Sequence, residues 1–372
     1  MVRNGSRRNW VCLDALKSIQ VRRQLGQLMS LQRPYTAVVI IPTGIGARVG
    51  GYAGDAIPVI RAMAQVADWV ITHPNVLNGA MLYWPLPQVW YVEGYALDRW
   101  AAGDWGLQPV HQQRLGVVLD AGMEPDMQLR HRQAIQAAQA TLGLTIAGEV
   151  LTDTPLGVGL QTADSGATWG TLAHPDSLLR AVATLKEQHQ VTAVAVVARF
   201  PDAQGEAVMH YRQGQGVDPL AGAEAVISHL VVRTFQLPCA HAPALRPLPL
   251  DPTVAPPAAA EELGYTFLPS VLVGLSRAPG YVSQRDQGGV WTEQVDAVVV
   301  PGTACGGAAV LHWATQGKLI IAVQENTSRM AVSPASLGIP AVTVTSYLEA
   351  VGVLAAHKAG VDWRWCGQGG RP

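Results

Sequence analysis

Residues 296–328 read DAVVVPGTACGGAAVLHWATQGKLIIAVQENTS. The apolar run Ala297–Val300 ends in a Pro-Gly-Thr turn, and a helix-forming stretch runs from Gly306 to Thr315. Gly317 then supplies a left-handed stop before a second apolar run, Leu319–Val323. Strand, helix and strand in this order form the unit from which parallel sheets are built. Both strand ends fall on one edge, where open α/β sheets bind ligands.

The same rhythm extends outward. Apolar runs at Ala37–Ile41, Trp69–Thr72, Gly116–Asp120, Thr192–Ala198 and Ala341–Val344 read as further strands. Helices are expected at Ala56–Val66, Glu124–Leu142, Pro175–Gln188, Gly222–Thr234 and Ser346–Ala356. The fold class is therefore α/β: two-lobed, with mostly parallel sheets of Rossmann-like strand–helix–strand units. Leu237–Pro257 carries seven prolines and reads as an extended connection, neither helix nor central strand. The expected organisation is a basic extension over 1–34, a first lobe over 35–236, the Pro-rich connection over 237–257 and a second lobe over 258–372. AVVIIPTGIGARVGG from Ala37 and AVVVPGTACGGAAV from Ala297 share the order apolar strand, proline, threonine, Gly-rich turn, which suggests related lobes.

With 49% hydrophobic and 14% charged residues, the 372-residue chain has ample core material, which excludes disorder, collagen and coiled coil. Lys+Arg of 26 against Asp+Glu of 27 gives 26 − 27 = −1, too balanced for a protein held to nucleic acid by its phosphates. Cys12, Cys239, Cys305 and Cys366 lie far apart with no CxxC pair, against a disulfide framework or a zinc ribbon and in favour of a reducing compartment. The basic N-terminus lacks the apolar core and small-residue cleavage site of a signal peptide and reads as an exposed helical extension. The apolar runs are too short to cross a bilayer. A cytoplasmic protein without membrane insertion is expected.

Four constellations carry chemistry. The turn Gly302, Thr303, Ala304, Cys305, Gly306, Gly307 precedes a helix whose free amides attract anions and lower a thiol's pKa, making Cys305 a nucleophile or proton carrier; the alternative is a small thiol packed beneath a tight turn. Asn326 and Thr327 stand at the end of the next strand. The loop after Ile41 holds Gly44, Gly46 and Arg48, glycines for close backbone approach and a guanidinium for carboxylate or phosphate; its spacing fits neither GxGxxG nor a Walker loop. His73, Asn75 and Asn78 follow a strand as a proton shuttle with two orienting amides, or as turn-formers. Cys239-x-His241 puts a thiol and an imidazole on one side of an extended segment, with His229 close enough to join them; the spacing fits no structural zinc site, so no metal is assigned. The tryptophans and tyrosines of Tyr83–Trp105 form either a lid or interaction surface, or local core.

HPNVLNG from His73, GVDPLAGAEAVISH from Gly216, LPCAHAPAL from Leu237, AAAEELGYTFLP from Ala258 and PGTACGG from Pro301 together resemble a hypothetical-protein family of cyanobacteria and plastids, over nearly the whole chain after Tyr35. That resemblance implies cyanobacterial cytosol or plastid stroma. PGTAC, the GKLII run and Asn326-Thr327 are similar to the second half-site of the aspartate/glutamate racemase and maleate isomerase group, which implies Cys305 as a proton-transferring thiol. The first-lobe turn Pro42–Gly46 has no cysteine, which leaves a one-thiol isomerase, lyase or decarboxylase. The leading expectation is an enzyme that holds a small anionic metabolite, carboxylate or phosphate, between Gly-rich strand-end loops, with Cys305 or His241 as acid, base or nucleophile. A non-catalytic metabolite sensor or assembly factor is the alternative. The cofactor is left unknown, and a homodimer is expected.

Overall fold

The alternation of apolar runs and helical stretches is realised as two parallel sheets. The structure, a computed structural model, describes residues 33–77, 85–202, 205–264 and 267–366. It divides into a unit of residues 1–35, of which Arg33–Tyr35 are described and carry no regular secondary structure, and a unit of residues 36–372. The expected N-terminal helix, Asn78, Tyr83 and Trp84 lie outside the described residues.

In chain order the second unit runs β1 (Thr36–Val39), α1 (Ile57–Met63), β2 (Trp69–Thr72), α2 (Pro74–Leu77), β3 (Val89–Tyr91), α3 (Gly94–Ala101), β4 (Gly106–Gln108), β5 (Leu115–Leu119) and α4 (Pro125–Leu142). Then come β6 (Ile146–Leu151), β7 (Val158–Thr162), β8 (Thr168–Leu172), α5 (Pro175–His189), β9 (Ala193–Arg199), α6 (Glu206–Arg212), α7 (Ala221–Phe235) and β10 (Cys239–Ala244). The chain continues through α8 (Pro256–Glu262), α9 (Leu268–Ser276), β11 (Gly280–Val282), β12 (Val295–Pro301), α10 (Ala308–Thr315), β13 (Leu319–Val323), β14 (Val342–Val344) and α11 (Tyr347–Lys358).

The larger sheet has the order β14-β13-β12-β1-β2-β3 and the smaller β10-β9-β5-β6, with every pairing in both parallel. Strands covered on both faces need continuous apolar side chains, and β1 and β5 are buried at every residue. Proline at the first turn opens α4, α5, α8 and α9, where its missing N–H has no partner to lose. Trp100 of α3 and Trp313 of α10 are fully buried and meet edge to face, centroids 5.4 Å apart, fixing the two helices together. One apolar cluster runs from the larger sheet (Val38, Ile71, Val298) into the smaller (Val118, Val194, Val196). Trp90, Tyr91 and Trp100 are buried, so this part of the Tyr83–Trp105 group is core and not a lid.

Two expectations meet a different arrangement. The similar stretches at Ala37 and Ala297 are neighbouring strands of one sheet, in the register Ala37↔Ala297, Val38↔Val298, Val39↔Val299. The larger sheet thus draws on both ends of the chain and the smaller lies between them in sequence, so the sheets do not divide the chain into one lobe before 237–257 and one after it. That Pro-rich segment is not wholly an extended connection either. It supplies β10, whose Pro243 is tolerated because β10 is an edge strand, and its last prolines start α8.

Candidate functional site

Numbered one to six along the chain, β1, β2, β3, β12, β13 and β14 stand in the order 6-5-4-1-2-3. The order reverses between β1 and β12, and at such a reversal open α/β sheets bind ligands outside the carboxyl ends of their strands. The loop after β1 has two halves. Its second half is tied down: Arg48 N–H donates to Thr327 O at 3.1 Å, Val49 N–H to Asn326 Oδ1 at 3.1 Å, Gly50 and Tyr52 N–H to the Asp55 carboxylate, and Ala53 N–H to Glu261 Oε1 at 2.6 Å. The first half donates nothing: among the described residues no acceptor pairs with the amides of Thr43, Gly44, Ile45, Gly46 or Ala47, although Gly44, Ile45 and Ala47 are buried. Buried amides without partners are rare in folded chains. Gly44 (φ +67°) and Gly46 (φ +62°) flank Ile45, which is not in the positive-φ region; such alternation turns successive amides toward one concavity.

Glycine is required at both positions for a second reason. A Cβ on Gly44 would lie 2.6 Å from Thr168 Oγ1, and one on Gly46 would lie 2.8 Å from Val217 Cγ2. These contacts bring in the opposite wall. Thr168, at the start of β8, donates its N–H to Gly44 O at 2.8 Å and its hydroxyl to Asp218 O at 3.0 Å.

Beyond Asp218, α7 lies against β10. Glu224 and Ser228 are one helical turn apart on α7, which places both on one face, and His241 of β10 stands between them. Ser228 Oγ is 2.5 Å from His241 Nδ1, and Glu224 Oε2 is 3.4 Å from Nε2. Ser228 is buried, and the side chains of His241 and Glu224 are 8% and 15% exposed. Burial pushes the Asp218 carboxyl up to about 7, helped by the Glu224 charge and opposed by backbone amides at the start of α7. Burial and the Asp218 charge likewise hold Glu261 well above the usual carboxylate range. The Tyr211 hydroxyl donates to Glu261 at 2.8 Å, and the Tyr211 ring stacks on Tyr52 with centroids 4.5 Å apart. Asp55, at the end of the clamped half-loop, is pushed up to about 6 by burial. Carboxyls shifted toward neutrality beside a histidine mark sites of proton chemistry more often than sites of structural ion pairing.

The residues singled out from the sequence fall in several places. Gly44 and Gly46 lie in the free half of the loop, exposed Arg48 begins its tied-down half, and His241 stands in the opposite wall. Cys305 does not have the activated thiol expected: α10 begins at Ala308, Cys305 is fully buried with its Sγ 3.6 Å from Pro301 O, and burial pushes the thiol up to about 11. Gly302, Thr303, Gly306 and Gly307 do not leave the α10 N-terminus free for an anion, because Ala309 N–H donates to the chain's own Asp98 at 3.0 Å and Thr303 Oγ1 is engaged by Ser328. Cys239 is fully buried with its thiol pushed well up, and His229 faces away to Glu93 at 3.3 Å, so neither joins His241 chemically. Buried His73 accepts from Ile41 N–H through Nε2 at 2.9 Å and is pushed down to about 4, a neutral acceptor closing the end of β1. Asn326 clamps Val49 and Tyr347, and Thr327 contributes its carbonyl to Arg48. Asn75 lies within α2.

The sequence reading missed Asp218, Glu261, Tyr52, Tyr211 and Arg329. The signal for two of them was present: Asp218 and Glu261 sit in the GVDPLAGAEAVISH and AAAEELGYTFLP stretches. Among the described residues no group of three or more His, Cys, Asp or Glu side chains is arranged to hold a metal ion. Nor is any helix among them long and apolar enough to cross a membrane.

Fold and loop geometry together define an α/β protein whose glycine loop leaves the carboxyl end of a parallel sheet at its strand-order reversal. The chain belongs to the family described as "Protein of unknown function (DUF3326)", which matches residues 36–366. It is 61% identical over 335 residues to an uncharacterised lipoprotein of Synechococcus sp. strain PCC 6301, covering 89% of this chain and 93% of that protein. No solved structure matches. The expected kinship with hypothetical cyanobacterial proteins holds. The expected cytoplasmic location is corrected by this relative, whose name is that of a lipoprotein.

Proposed function

We propose that this protein is an enzyme acting on a small metabolite by general acid–base chemistry, in a Rossmann-like crevice at the carboxyl ends of β1 and β12. The observation that carries the reading is the junction at Thr168, which joins a half-loop of unpaired amides to a wall of buried, proton-holding side chains. An anionic group of the substrate sits on the half-loop, and the proton moves at His241. With Nδ1 accepting from the Ser228 hydroxyl, the ring proton lies on Nε2 toward Glu224; the second proton reaches Nδ1 from the Ser228 hydroxyl as that oxygen takes one from the substrate, and the Glu224 carboxylate stabilises the imidazolium so formed. Asp218 and Glu261, held toward neutrality, supply or receive the balancing proton. Cys305 takes no part in this scheme.

The test is incubation of the purified chain with a cyanobacterial metabolite extract, read by mass spectrometry for compounds consumed and formed, with His241→Gln as control. A substrate–product pair that vanishes in His241→Gln supports the proposal; turnover unchanged in that variant overturns it. Ligand capture without turnover favours the sensor alternative. The lipoprotein name of the Synechococcus relative further supports a membrane-attached location, which fractionation of cells expressing the full-length protein tests.

A further inference from the structure

We infer that the half-loop Thr43–Ala47, together with Arg329, is a binding site for the terminal phosphate of a phosphomonoester. This rests on the crevice reading above and deepens it by naming the anion.

Three independent features converge. First, five successive amides donate to no acceptor among the described residues, in a loop whose next amides, from Arg48 to Gly50, are all satisfied by the protein. A fold that pairs every amide from Arg48 to Gly50 and none from Thr43 to Ala47 leaves a run of donors open to a ligand. Second, the positive φ values at Gly44 and Gly46 on either side of Ile45 give the alternation that gathers amides into an anion-binding concavity. Third, a cation lies across that loop. Arg329 N–H donates to Ile45 O at 2.7 Å, its Cγ lies 3.5 Å from where a Cβ on Gly46 would stand, and its Nε lies 3.9 Å from the equivalent point on Gly166. The side chain therefore spans from the half-loop to the β7–β8 turn. Its guanidinium is exposed and has no carboxylate partner among the described residues.

Donor number separates the candidate anions. A carboxylate presents two oxygens and one charge, well served by a single bidentate guanidinium, whereas a phosphomonoester presents three oxygens and close to two charges. Five backbone donors with a forked guanidinium match the second. The Glu224 carboxylate beside His241 disfavours a second anionic group, so the rest of the substrate extends from the phosphate toward His241 as a neutral or cationic part.

The test is titration of the full chain at constant ionic strength with methyl phosphate, dimethyl phosphate and acetate, followed by calorimetry and by 31P NMR for the phosphates. The expected result is saturable binding of methyl phosphate, weaker binding of the diester and of acetate, and about tenfold weaker methyl phosphate affinity in Arg329→Ala, partly restored in Arg329→Lys. Arg329 is exposed, so its loss leaves the fold intact; matched thermal unfolding of the variant checks this. No saturable binding, binding indifferent to Arg329→Ala, or preference for the diester overturns the inference. In His241→Gln, methyl phosphate affinity stays within about twofold, because the imidazole is not a donor to the anion. Loss of phosphate binding with intact His241-dependent turnover thus refutes this site alone, and intact binding without turnover refutes only the acid–base reading.

Discussion

Replacing Asn326 tests whether this residue, expected from the sequence to touch ligand, is instead the clamp of the β1 loop. Its side chain is fully buried and saturated: Oδ1 accepts from Val49 N–H at 3.1 Å, and Nδ2 donates to Val49 O at 2.8 Å and Tyr347 Oη at 2.7 Å. Asn326→Ala deletes three hydrogen bonds at about 1 kcal/mol each and strands the Val49 amide and carbonyl away from water, so the expected loss is about 3–4 kcal/mol. That is a large part of a typical total of about 5–15 kcal/mol. With an unfolding entropy near 2.1 cal/mol/K per residue, a chain of this size has an entropy of roughly 0.8 kcal/mol/K, and the loss appears as a Tm about 4–5 °C lower. Urea unfolding at several protein concentrations, alongside calorimetry, provides the assay. Asn326→Asp, which keeps the acceptor and replaces both donors by a buried charge, is expected to lose at least as much. Stability within about 0.5 kcal/mol of the parent in Asn326→Ala refutes the clamp and returns Asn326 to the list of ligand contacts.

The remaining predictions concern charge, thiols and glycine. Asp218 has a folded pKa of about 7, above that of an unfolded aspartate, so its protonated form is the one the fold favours; its contribution is complete below about 4 and is lost as pH rises through about 7. Asp218→Asn is therefore expected to raise Tm at pH 8 and to leave it nearly unchanged at pH 4, and no difference between the two conditions counts against the burial described. His229 is raised by its hydrogen bond to Glu93, so the stability that pair adds is present below about 6.5 and fades as pH passes the folded value. Comparing His229→Gln with the parent should show a gap at pH 6 that closes at pH 9. In native protein a thiol reagent should modify exposed Cys366 while Cys239 and Cys305 stay protected until unfolding, as peptide mapping would reveal, and Cys305→Ala should keep any turnover found. Gly44→Ala combines a φ of +67° with a 2.6 Å approach to Thr168 Oγ1; we expect it to cost about 1–3 kcal/mol in denaturant unfolding.

The major strands and helices were legible because each is long enough to show its period. β1, β2, β5, β9, β12, β13 and β14 fall within a residue or two of the apolar runs that announced them, and α4 and α5 begin within a residue of the expected Glu124 and Pro175. Three-residue strands such as β3, β4 and β11 are too short to display alternation. The β7–β8 hairpin breaks its few apolar residues with glycine and threonine and reads as a loop. The crevice was half legible. Glycines after an apolar run pointed to the Gly44–Gly46 loop, but Cys305 was given the chemistry that a thiol has at an exposed helix start, when burial beneath the turn gives it the reverse. Asp218, Glu261 and Tyr52 come from three distant segments, and only tertiary folding brings their charges together.

The two sheets show why the site belongs where it is. Numbered along the chain, the smaller sheet has the order 4-3-1-2, so it too reverses, between β5 and β9, and the same rule predicts a ligand crevice at their carboxyl ends. There the chain has filled the mouth with its own charges. Asp120 accepts the amides of Gly122, Leu156 and Arg199 at 2.8–3.0 Å, and the Arg199 guanidinium is held by Glu124 at 3.0 Å and Asp202 at 2.8 Å, with Arg246 adding a second cation to Glu124. Every donor aimed into that mouth by these residues has its acceptor, which makes it a fastening. At the β1–β12 mouth the balance is reversed: among the described residues amides 43–47 lack acceptors and Arg329 lacks a carboxylate, and Asp218 and Glu261 are held toward their protonated forms. Unmet donors facing restrained acids are what a fold keeps for a molecule that arrives from outside.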